Sequence, residues 1–285
     1  MKASDFIIRD PFILLHGDTY YLYGSRSETV WSDQAEGFDC YKSKDLENWE
    51  GPIEIFHRPE GFWADRCYWA PECIEYKGSF YLITTLASKE QKKGIYVLKA
   101  DRPEGPFHPY SGRLTPQDWT CIDGTVYIDG DRRYLVYSHS FEDSPTGDMC
   151  CQELSEDLMQ TVTPPRVLFQ ASEAKWAKPV PFAKAEFGMD GDVYFTDGPF
   201  LFQKNGTLHM TWSSWGTNGY AVGLACSDNG HVDGIWKQND QPFFPENGGH
   251  GMAFTDKTGK LRYTLHYPND KYQEHVTIID LEIEP

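Results

Sequence analysis

A fivefold internal repeat constrains this chain more than any other feature of its sequence. Each copy opens with a polar or small residue followed by glycine or proline. It continues as an apolar run, passes through a glycine turn and ends in an aromatic-rich strand. The copies begin at Asp10, Ala70, Asp123, Asp197 and His250, so successive starts are 60, 53, 74 and 53 residues apart. Spacings of this size fit four-stranded blades joined by loops of variable length. The sequence therefore predicts an all-β protein, a five-bladed β-propeller forming one domain over residues 1–285.

Composition agrees with an all-β fold. Aromatic residues make up 15% of the chain, and 25 glycines and 18 prolines supply turns. Such chains favour strands over helices, and the nearest helical candidate is a single short segment at residues 172–176. Exposed aromatic rings also suit carbohydrate binding, because the apolar face of a sugar stacks on them.

The charge balance excludes several classes of partner. The formal net charge is −17, whereas binding to nucleic acid or to anionic lipid requires a basic surface. No apolar run is long enough to span a membrane, and the N-terminal residues lack the pattern of a signal peptide. We therefore expect no nucleic-acid or membrane partner. The expected location is the cytoplasm, or a secreted or periplasmic one if a signal segment was removed. The seven cysteines lack zinc-site spacing and are predicted to be reduced.

The repeat also predicts where the functional residues converge. The innermost strand of each propeller blade runs along the central channel, so the five starting residues are expected to ring one channel mouth. Three of those residues are aspartates. A ring of acids is unfavourable unless it binds a cation, shares protons or performs chemistry.

The blade-opening motifs resemble those of glycoside hydrolase family 43, over the whole chain and in order. The motifs are Arg9-Asp10-Pro11, Trp69-Ala70-Pro71-Glu72, Ile122-Asp123-Gly124, Asp197-Gly198-Pro199-Phe200 and Gly249-His250-Gly251. The resemblance implies a five-bladed propeller and an inverting glycosidase, of the β-xylosidase, α-L-arabinofuranosidase or arabinanase type. It implies a carbohydrate substrate and no organic cofactor.

The resemblance also implies roles for individual residues. Asp10 corresponds to the general base, and Asp123 to the carboxylate that raises the pKa of the acid and orients it. His250 corresponds to a histidine near the channel axis that helps to hold a metal, often calcium, or a water in its place. His266 is a second candidate for the axis.

The general acid departs from the family pattern, which is Glu-Gly-Pro where this chain has Asp197-Gly198-Pro199. The aspartate is one methylene shorter, and proton transfer tolerates little misplacement. Asp197 is the first candidate for the acid. Glu72, in the second-blade motif, and Glu186, in the insertion before the fourth blade, are alternatives.

Aromatic residues in the loops at residues 28–38, 61–69, 140–149 and 179–193 are predicted to wall a single-sugar pocket, which favours exo action. The expected products are terminal α-L-arabinofuranosyl or β-xylosyl units, or galactofuranosyl units, from plant-type oligosaccharides and polysaccharides. Candidate substrate-binding residues are Trp69, Trp215, His139 and Tyr68.

Two other functions remain open from the sequence. A non-catalytic carbohydrate-binding propeller would keep the ring of acids and lose the general acid. A retaining, fructoside-type propeller hydrolase would use the first-blade aspartate as nucleophile, with Glu72-Cys73 resembling its acid motif one blade early. The sequence makes no prediction of oligomeric state.

Overall fold

A computed structural model describes residues 1–32 and 35–283 of the chain as five β-sheets arranged around a central channel. This arrangement confirms the predicted five-bladed β-propeller. Residues 33, 34, 284 and 285, which the predicted domain and the 28–38 loop include in part, lie outside the described residues.

The strands follow one another along the chain blade by blade. The first two blades contain β1 (Arg9–His16), β2 (Thr19–Ser25), β3 (Gly37–Ser43), β4 (Trp49–His57), β5 (Arg66–Tyr76), β6 (Ser79–Ala87), β7 (Gly94–Ala100) and β8 (His108–Pro109). The third and fourth contain β9 (Cys121–Asp129), β10 (Arg132–His139), β11 (Asp148–Glu153), β12 (Arg166–Gln170), β13 (Asp197–Lys204), β14 (Thr207–Gly216), β15 (Gly219–Ser227) and β16 (Trp236–Gln238). The fifth contains β17 (Gly249–Thr255), β18 (Leu261–Tyr267) and β19 (His275–Asp280).

Within each blade the strands are antiparallel and ordered as they occur in the sequence, so the first strand of every blade lies innermost. The inner strands β1, β5, β9, β13 and β17 contact one another in sequence, and β17 returns to β1. The backbone of the last blade joins the first, because the Ile8 amide donates to the Glu274 carbonyl at 2.9 Å. The channel mouth is therefore built from residues of all five blades.

Helical structure is confined to short segments in the connections. They are α1 (Ser27–Ser32), α2 (Ala183–Phe187) and two 3-10 turns at Ala3–Asp5 and Ala171–Glu173. The second 3-10 turn overlaps the helical candidate at residues 172–176. Within the described residues, each of these helices is too short to reach across a lipid bilayer.

Most of the aromatic residues pack between the blades. Trp49, Tyr23, Tyr137, Trp212 and Tyr263 are among the largest fully buried side chains. Each such ring removes a large apolar area from water, worth about 1.5–3 kcal/mol. The aromatic content seen in the sequence therefore serves the fold first.

Candidate active site

Five residues at equivalent positions, here called the lead ring, open the inner strands at one mouth of the channel: Asp10, Ala70, Asp123, Gly198 and His250. Each has a backbone φ between 43° and 57°, and each lies at a break in strand register. A bulge with a left-handed residue bends a strand and redirects the side chain beside it. Aspartate and histidine adopt this φ more readily than most residues, so candidate functional side chains can occupy the bulge positions.

The fourth member of the lead ring corrects the sequence prediction, which placed Asp197 there. Asp197 pairs with Ser213 across the hairpin of the fourth blade. Arg9 pairs with Ser25 in the same way in the first blade. Asp197 is therefore equivalent to the residue before Asp10, and Gly198 holds the lead position. The residues immediately before the lead ring, here called the rim ring, are Arg9, Trp69, Ile122, Asp197 and Gly249.

Side chains from the second strand of each blade cap the backbone amides that the bulges expose. Four backbone amides donate such hydrogen bonds: Ala70 to Ser25 Oγ (2.7 Å), Asp123 to Thr85 Oγ1 (3.0 Å), His250 to Ser213 Oγ (2.9 Å) and Asp10 to His266 Nδ1 (3.2 Å). Gly198 differs, since its amide donates to Asp123 Oδ2 at 3.2 Å. Buried amides need such partners. The partner of the fourth-blade amide is Asp123, which is itself a candidate catalytic carboxylate.

Asp10 is buried and held at both carboxylate oxygens. Ser25 Oγ donates to Oδ2 at 2.5 Å, and His250 Nδ1 lies 3.2 Å from Oδ1. Burial raises the pKa of Asp10, but the His250 imidazole and then Arg9 outweigh burial and hold that pKa below its ordinary value. Asp10 is therefore ionised at neutral pH, as a general base requires.

Asp123 and Asp197 form a pair of carboxyls whose pKa values are raised, in contrast to that of Asp10. Burial raises the pKa of Asp123, and the adjacent Asp197 carboxyl raises it further. Burial also raises the pKa of Asp197, against the lowering effects of His250 and of the hydrogen bond with Asp123. Two hydrogen-bonded carboxyls in a buried site cannot both ionise easily. The pair therefore shares a proton at a pH where Asp10 has none.

His250 lies at the centre of the lead ring, between the base and the carboxyl pair. Its Nδ1 is 3.2 Å from Asp10 Oδ1 and 3.6 Å from Asp123 Oδ2. Its ring lies directly against the backbone of Gly198, where an added Cβ would approach Cδ2 to 2.5 Å. Glycine at position 198 is thus required both by its φ of 46° and by the imidazole beside it.

Replacing Gly198 by alanine is expected to destabilise the fold and to lower kcat by moving His250. The left-handed φ alone costs about 1–2 kcal/mol for an L residue, and overpacking adds about 1–3 kcal/mol. Gly17→Ala is the matched control, because Gly17 has a φ of 60° with no atom within 4 Å of the added Cβ. Chemical denaturation of both variants measures the difference. Equal losses of stability would show that His250 does not confine position 198.

A cavity of about 640 Å³ lies over this mouth. Three rim residues, Trp69, Ile122 and Asp197, line it. Further aromatic walls come from Trp31, Phe141, Phe182, Phe187 and Phe195, and the charged lining residues are Arg66, Lys92, Lys93 and Glu142. Asp197 is therefore the aspartate of the two rings that lines the cavity, whereas Asp10 and Asp123 are buried.

The two alternative acids lie elsewhere. Glu72 is a buried residue two positions beyond Ala70 in β5, beside Thr125. Burial raises the pKa of Glu72 to about 8, and Glu72 Oε2 has no hydrogen-bond partner among the described residues. Glu72 holds a proton but does not line the cavity. Glu186 is exposed on α2 and is not one of the residues that line the cavity.

Among the predicted substrate-binding residues, Trp69 lines the cavity and the other three do not. Tyr68 is part of the core, where its ring packs on Phe38 and its hydroxyl donates to the Ala64 carbonyl at 2.9 Å. Tyr68 was predicted from its place in a loop, but that loop ends in β5 and turns the ring inwards.

Trp215 and His139 lie behind the cavity wall. Trp215 packs edge-on against Phe182 at 5.2 Å and so supports a wall residue. His139 is stacked on Trp119 at 4.0 Å, with its nitrogens 3.6–3.7 Å from Asp148 and Asp143. Neither side chain lines the cavity, so substrate binding by these two residues stays a prediction of the sequence.

Comparison with known proteins agrees with this geometry. The model of the family described as glycosyl hydrolases family 43 matches residues 5–283. The chain belongs to glycosyl hydrolase family 43. A similar fold is seen in the crystal structure of an endo-arabinase from Bacteroides thetaiotaomicron VPI-5482. That structure has a TM-score of 0.89 and 34% sequence identity, over 100% of this chain and 97% of that one.

Two curated relatives are named as enzymes that cleave arabinosides or xylosides. An extracellular exo-α-(1→5)-L-arabinofuranosidase of Cellvibrio japonicus is 25% identical over 75% of this chain. A xylosidase/arabinosidase of Butyrivibrio fibrisolvens is 30% identical over 76% of this chain. The matches span 60% and 39% of the lengths of these two relatives.

The side chains near His250 do not form a calcium site of their own. Calcium binds six to eight oxygen ligands, whereas His250 Nδ1 contacts Asp10 and the ring edge lies against Gly198. In the described ranges, no group of three or more His, Cys, Asp or Glu side chains is arranged to hold a metal. Calcium therefore stays a prediction of the family resemblance that these residues do not support.

The structure adds residues that the sequence analysis missed. The Tyr220 hydroxyl donates to Asp197 Oδ2 at 3.0 Å. The buried Glu274 carboxylate accepts hydrogen bonds from Arg9 (3.0 Å), Ser27 (3.0 Å) and Trp31 (2.7 Å) and so fixes α1 beside the cavity. His266 reaches Asp10, as the sequence suggested. Tyr220 and Glu274 lie outside the blade-opening motifs, so no local pattern marked them.

Proposed function

We propose that this chain is an inverting glycosidase that removes terminal α-L-arabinofuranosyl or β-xylosyl units from plant-type oligosaccharides and polysaccharides. Galactofuranosyl units are a third possible product. The observation that carries the proposal is the contrast in charge at one channel mouth. Asp10 is held ionised, while the Asp123–Asp197 pair retains a proton. Inverting hydrolysis requires these two states in carboxyls on opposite faces of the anomeric carbon.

The reaction then proceeds by one displacement. Asp197, which faces the cavity, donates its proton to the glycosidic oxygen as the bond to the anomeric carbon breaks. Asp10 accepts a proton from water as the water oxygen bonds to that carbon. Asp123 is buried behind Asp197, is hydrogen-bonded to it and shares the proton of the pair before the reaction. Exchange of protons with solvent restores both carboxyls after the products leave.

The aromatic wall of the cavity supports binding of a single terminal sugar. Trp31 and Trp69 provide flat apolar surfaces suited to the face of a sugar ring, and Phe182 and Phe187 belong to the insertion before the fourth blade. Endo action is the second candidate, because the solved relative with 34% identity is named an endo-arabinase. The two modes differ in which products appear first.

Product analysis tests the proposal. The protein is incubated with nitrophenyl α-L-arabinofuranoside, nitrophenyl β-D-xyloside and linear arabino-oligosaccharides, and proton NMR follows the first anomer formed. We expect single terminal sugars of inverted configuration. Mixed internal fragments would indicate endo action, and retained configuration would indicate a nucleophilic aspartate. Binding of sugars with no turnover would overturn the enzymatic proposal in favour of a carbohydrate-binding propeller.

The rate should depend on pH as a bell with a wide plateau. On the acid side, kcat/KM is expected to rise as Asp10 loses its proton, at a pH below the ordinary aspartate pKa. On the alkaline side it should fall as the Asp123–Asp197 pair loses its shared proton, above that ordinary value. Initial rates across the pH range measure both limbs. An alkaline limb below the ordinary aspartate pKa would contradict the assignment of the pair.

A further inference from the structure

We propose that Tyr220 is a positioning residue for the general acid, holding the short Asp197 carboxyl in the orientation that proton donation requires. This inference rests on the proposed function. Family 43 normally has glutamate where this chain has Asp197, and an aspartate has less reach and needs firmer placement. Tyr220 provides this placement through a hydrogen bond to the Asp197 carboxyl.

The contact fixes which oxygen of Asp197 carries the proton. Tyr220 Oη donates to Asp197 Oδ2 at 3.0 Å. A protonated carboxyl has one O–H donor, and its other oxygen is the better acceptor. With Oδ2 occupied as the acceptor, the proton is directed to Oδ1. The same hydrogen bond stabilises the carboxylate that remains after the proton has been given to the leaving group.

The Tyr220 ring is held so that its hydroxyl has one direction. It is stacked between Phe195, at 6.0 Å, and His266, at 5.6 Å. Gly249 of the rim ring lies against its edge, where an added Cβ would come within 2.6 Å of the ring. Burial, and then the neighbouring Asp197, raise the pKa of Tyr220 well above its ordinary value. The hydroxyl is therefore a permanent donor and does not itself supply the proton.

The groups that face Asp197 set the expectations for pH. They are Asp123 of β9, Asp10 of β1, His250 of β17 and Tyr220 of β15, and Arg66, Lys92, Lys93 and Glu142 share the cavity. Of these, His250, then Asp123 and then the Tyr220 hydroxyl lower the pKa of Asp197. Removal of the hydroxyl should therefore move the alkaline limb of the rate profile to higher pH while the acid limb, set by Asp10, stays in place.

The test is Tyr220→Phe, which keeps the stacked ring and removes only the hydroxyl. Its kcat is measured on an unactivated arabino-oligosaccharide and on a dinitrophenyl arabinofuranoside, whose leaving group departs without protonation. Tyr23→Phe is the matched control, since Tyr23 is also buried and donates to the Pro103 carbonyl at 2.7 Å in the first blade. Asp197→Asn is measured in parallel.

We expect Tyr220→Phe to lower kcat about 10- to 100-fold on the oligosaccharide and less than about threefold on the activated substrate. KM should change little on either, and the alkaline limb should move up. Tyr23→Phe should show neither effect. Asp197→Asn should lose more kcat on the oligosaccharide than on the activated substrate. If it does, and Tyr220→Phe loses kcat equally on both substrates or on neither, the role of Tyr220 alone is overturned. If Asp197→Asn loses kcat equally on both substrates, the assignment of Asp197 as the acid is overturned, and this inference with it.

Discussion

Replacing Asp10 by asparagine is expected to lower kcat by about a thousandfold to ten-thousandfold, with KM almost unchanged. Asparagine has the same shape and still accepts the hydrogen bond that Ser25 donates to Asp10 at 2.5 Å. It cannot accept a proton from water, so the displacement loses its base. Steady-state kinetics on an arabino-oligosaccharide measures the loss, and sugar binding by calorimetry shows that the site is intact.

The control for this variant is Asp256→Asn. Asp256 is as buried as Asp10 and accepts hydrogen bonds from Thr258 and Arg262. It lies in the hairpin between β17 and β18, away from the lead ring. We expect its replacement to lower the free energy of unfolding and to leave kcat within a fewfold of the original. Activity in Asp10→Asn close to that of Asp256→Asn would rule out Asp10 as the base.

Asp197→Asn is the second variant with a large expected effect, and the effect should depend on the leaving group. We expect a loss in kcat of about a hundredfold to ten-thousandfold on arabino-oligosaccharides, whose alcohol must be protonated as it departs. On a dinitrophenyl glycoside the loss should be below about tenfold, because the phenolate leaves unassisted. The ratio of the two losses identifies the acid independently of any general damage to the fold.

The alternative acids provide the comparison. Glu72→Gln removes the buried carboxyl in β5, and Glu186→Gln removes the exposed one on α2. Neither variant should show a leaving-group-dependent loss. If Glu72→Gln showed that dependence and Asp197→Asn did not, the proton would come from the channel rather than from the rim ring.

The propeller and the placement of the catalytic candidates could be predicted because they depend on repetition. Each blade repeats the same bulged opening, so Asp10, Asp123 and His250 meet although they are far apart in the sequence. Spacing alone reveals such a repeat. The neighbouring His266 could also be anticipated near the axis, since it belongs to the second strand of the fifth hairpin.

The register of the fourth blade could not be predicted as reliably. Aligning the copies on their acids placed Asp197 in the lead ring, whereas aligning them on the glycine or proline that follows the lead residue places Gly198 there. The difference is one residue, and it moves Asp197 from the channel to the cavity wall. A β-bulge leaves no fixed mark in a sequence, so the structure was needed to choose between the two alignments.

Burial was the other property that the sequence did not reveal. Tyr68 lies in a segment predicted as a loop beside the mouth and His139 immediately precedes another, yet packing turns both rings inwards. The Tyr220 side chain reaches Asp197 from the third strand of its blade. Contacts of this kind depend on how side chains pack within and between blades, and neither periodicity nor motif spacing predicts them.

A crystal structure of the Asp10→Asn variant with an uncleaved arabino-oligosaccharide is the most direct test of the central claim. We expect this variant to bind substrate and to turn it over too slowly for cleavage in the crystal. We expect the glycosidic oxygen within about 2.6–3.2 Å of an Asp197 oxygen, and the anomeric carbon facing position 10. A sugar bound away from the lead and rim rings, or a glycosidic oxygen nearer to Glu72 than to Asp197, would contradict the account.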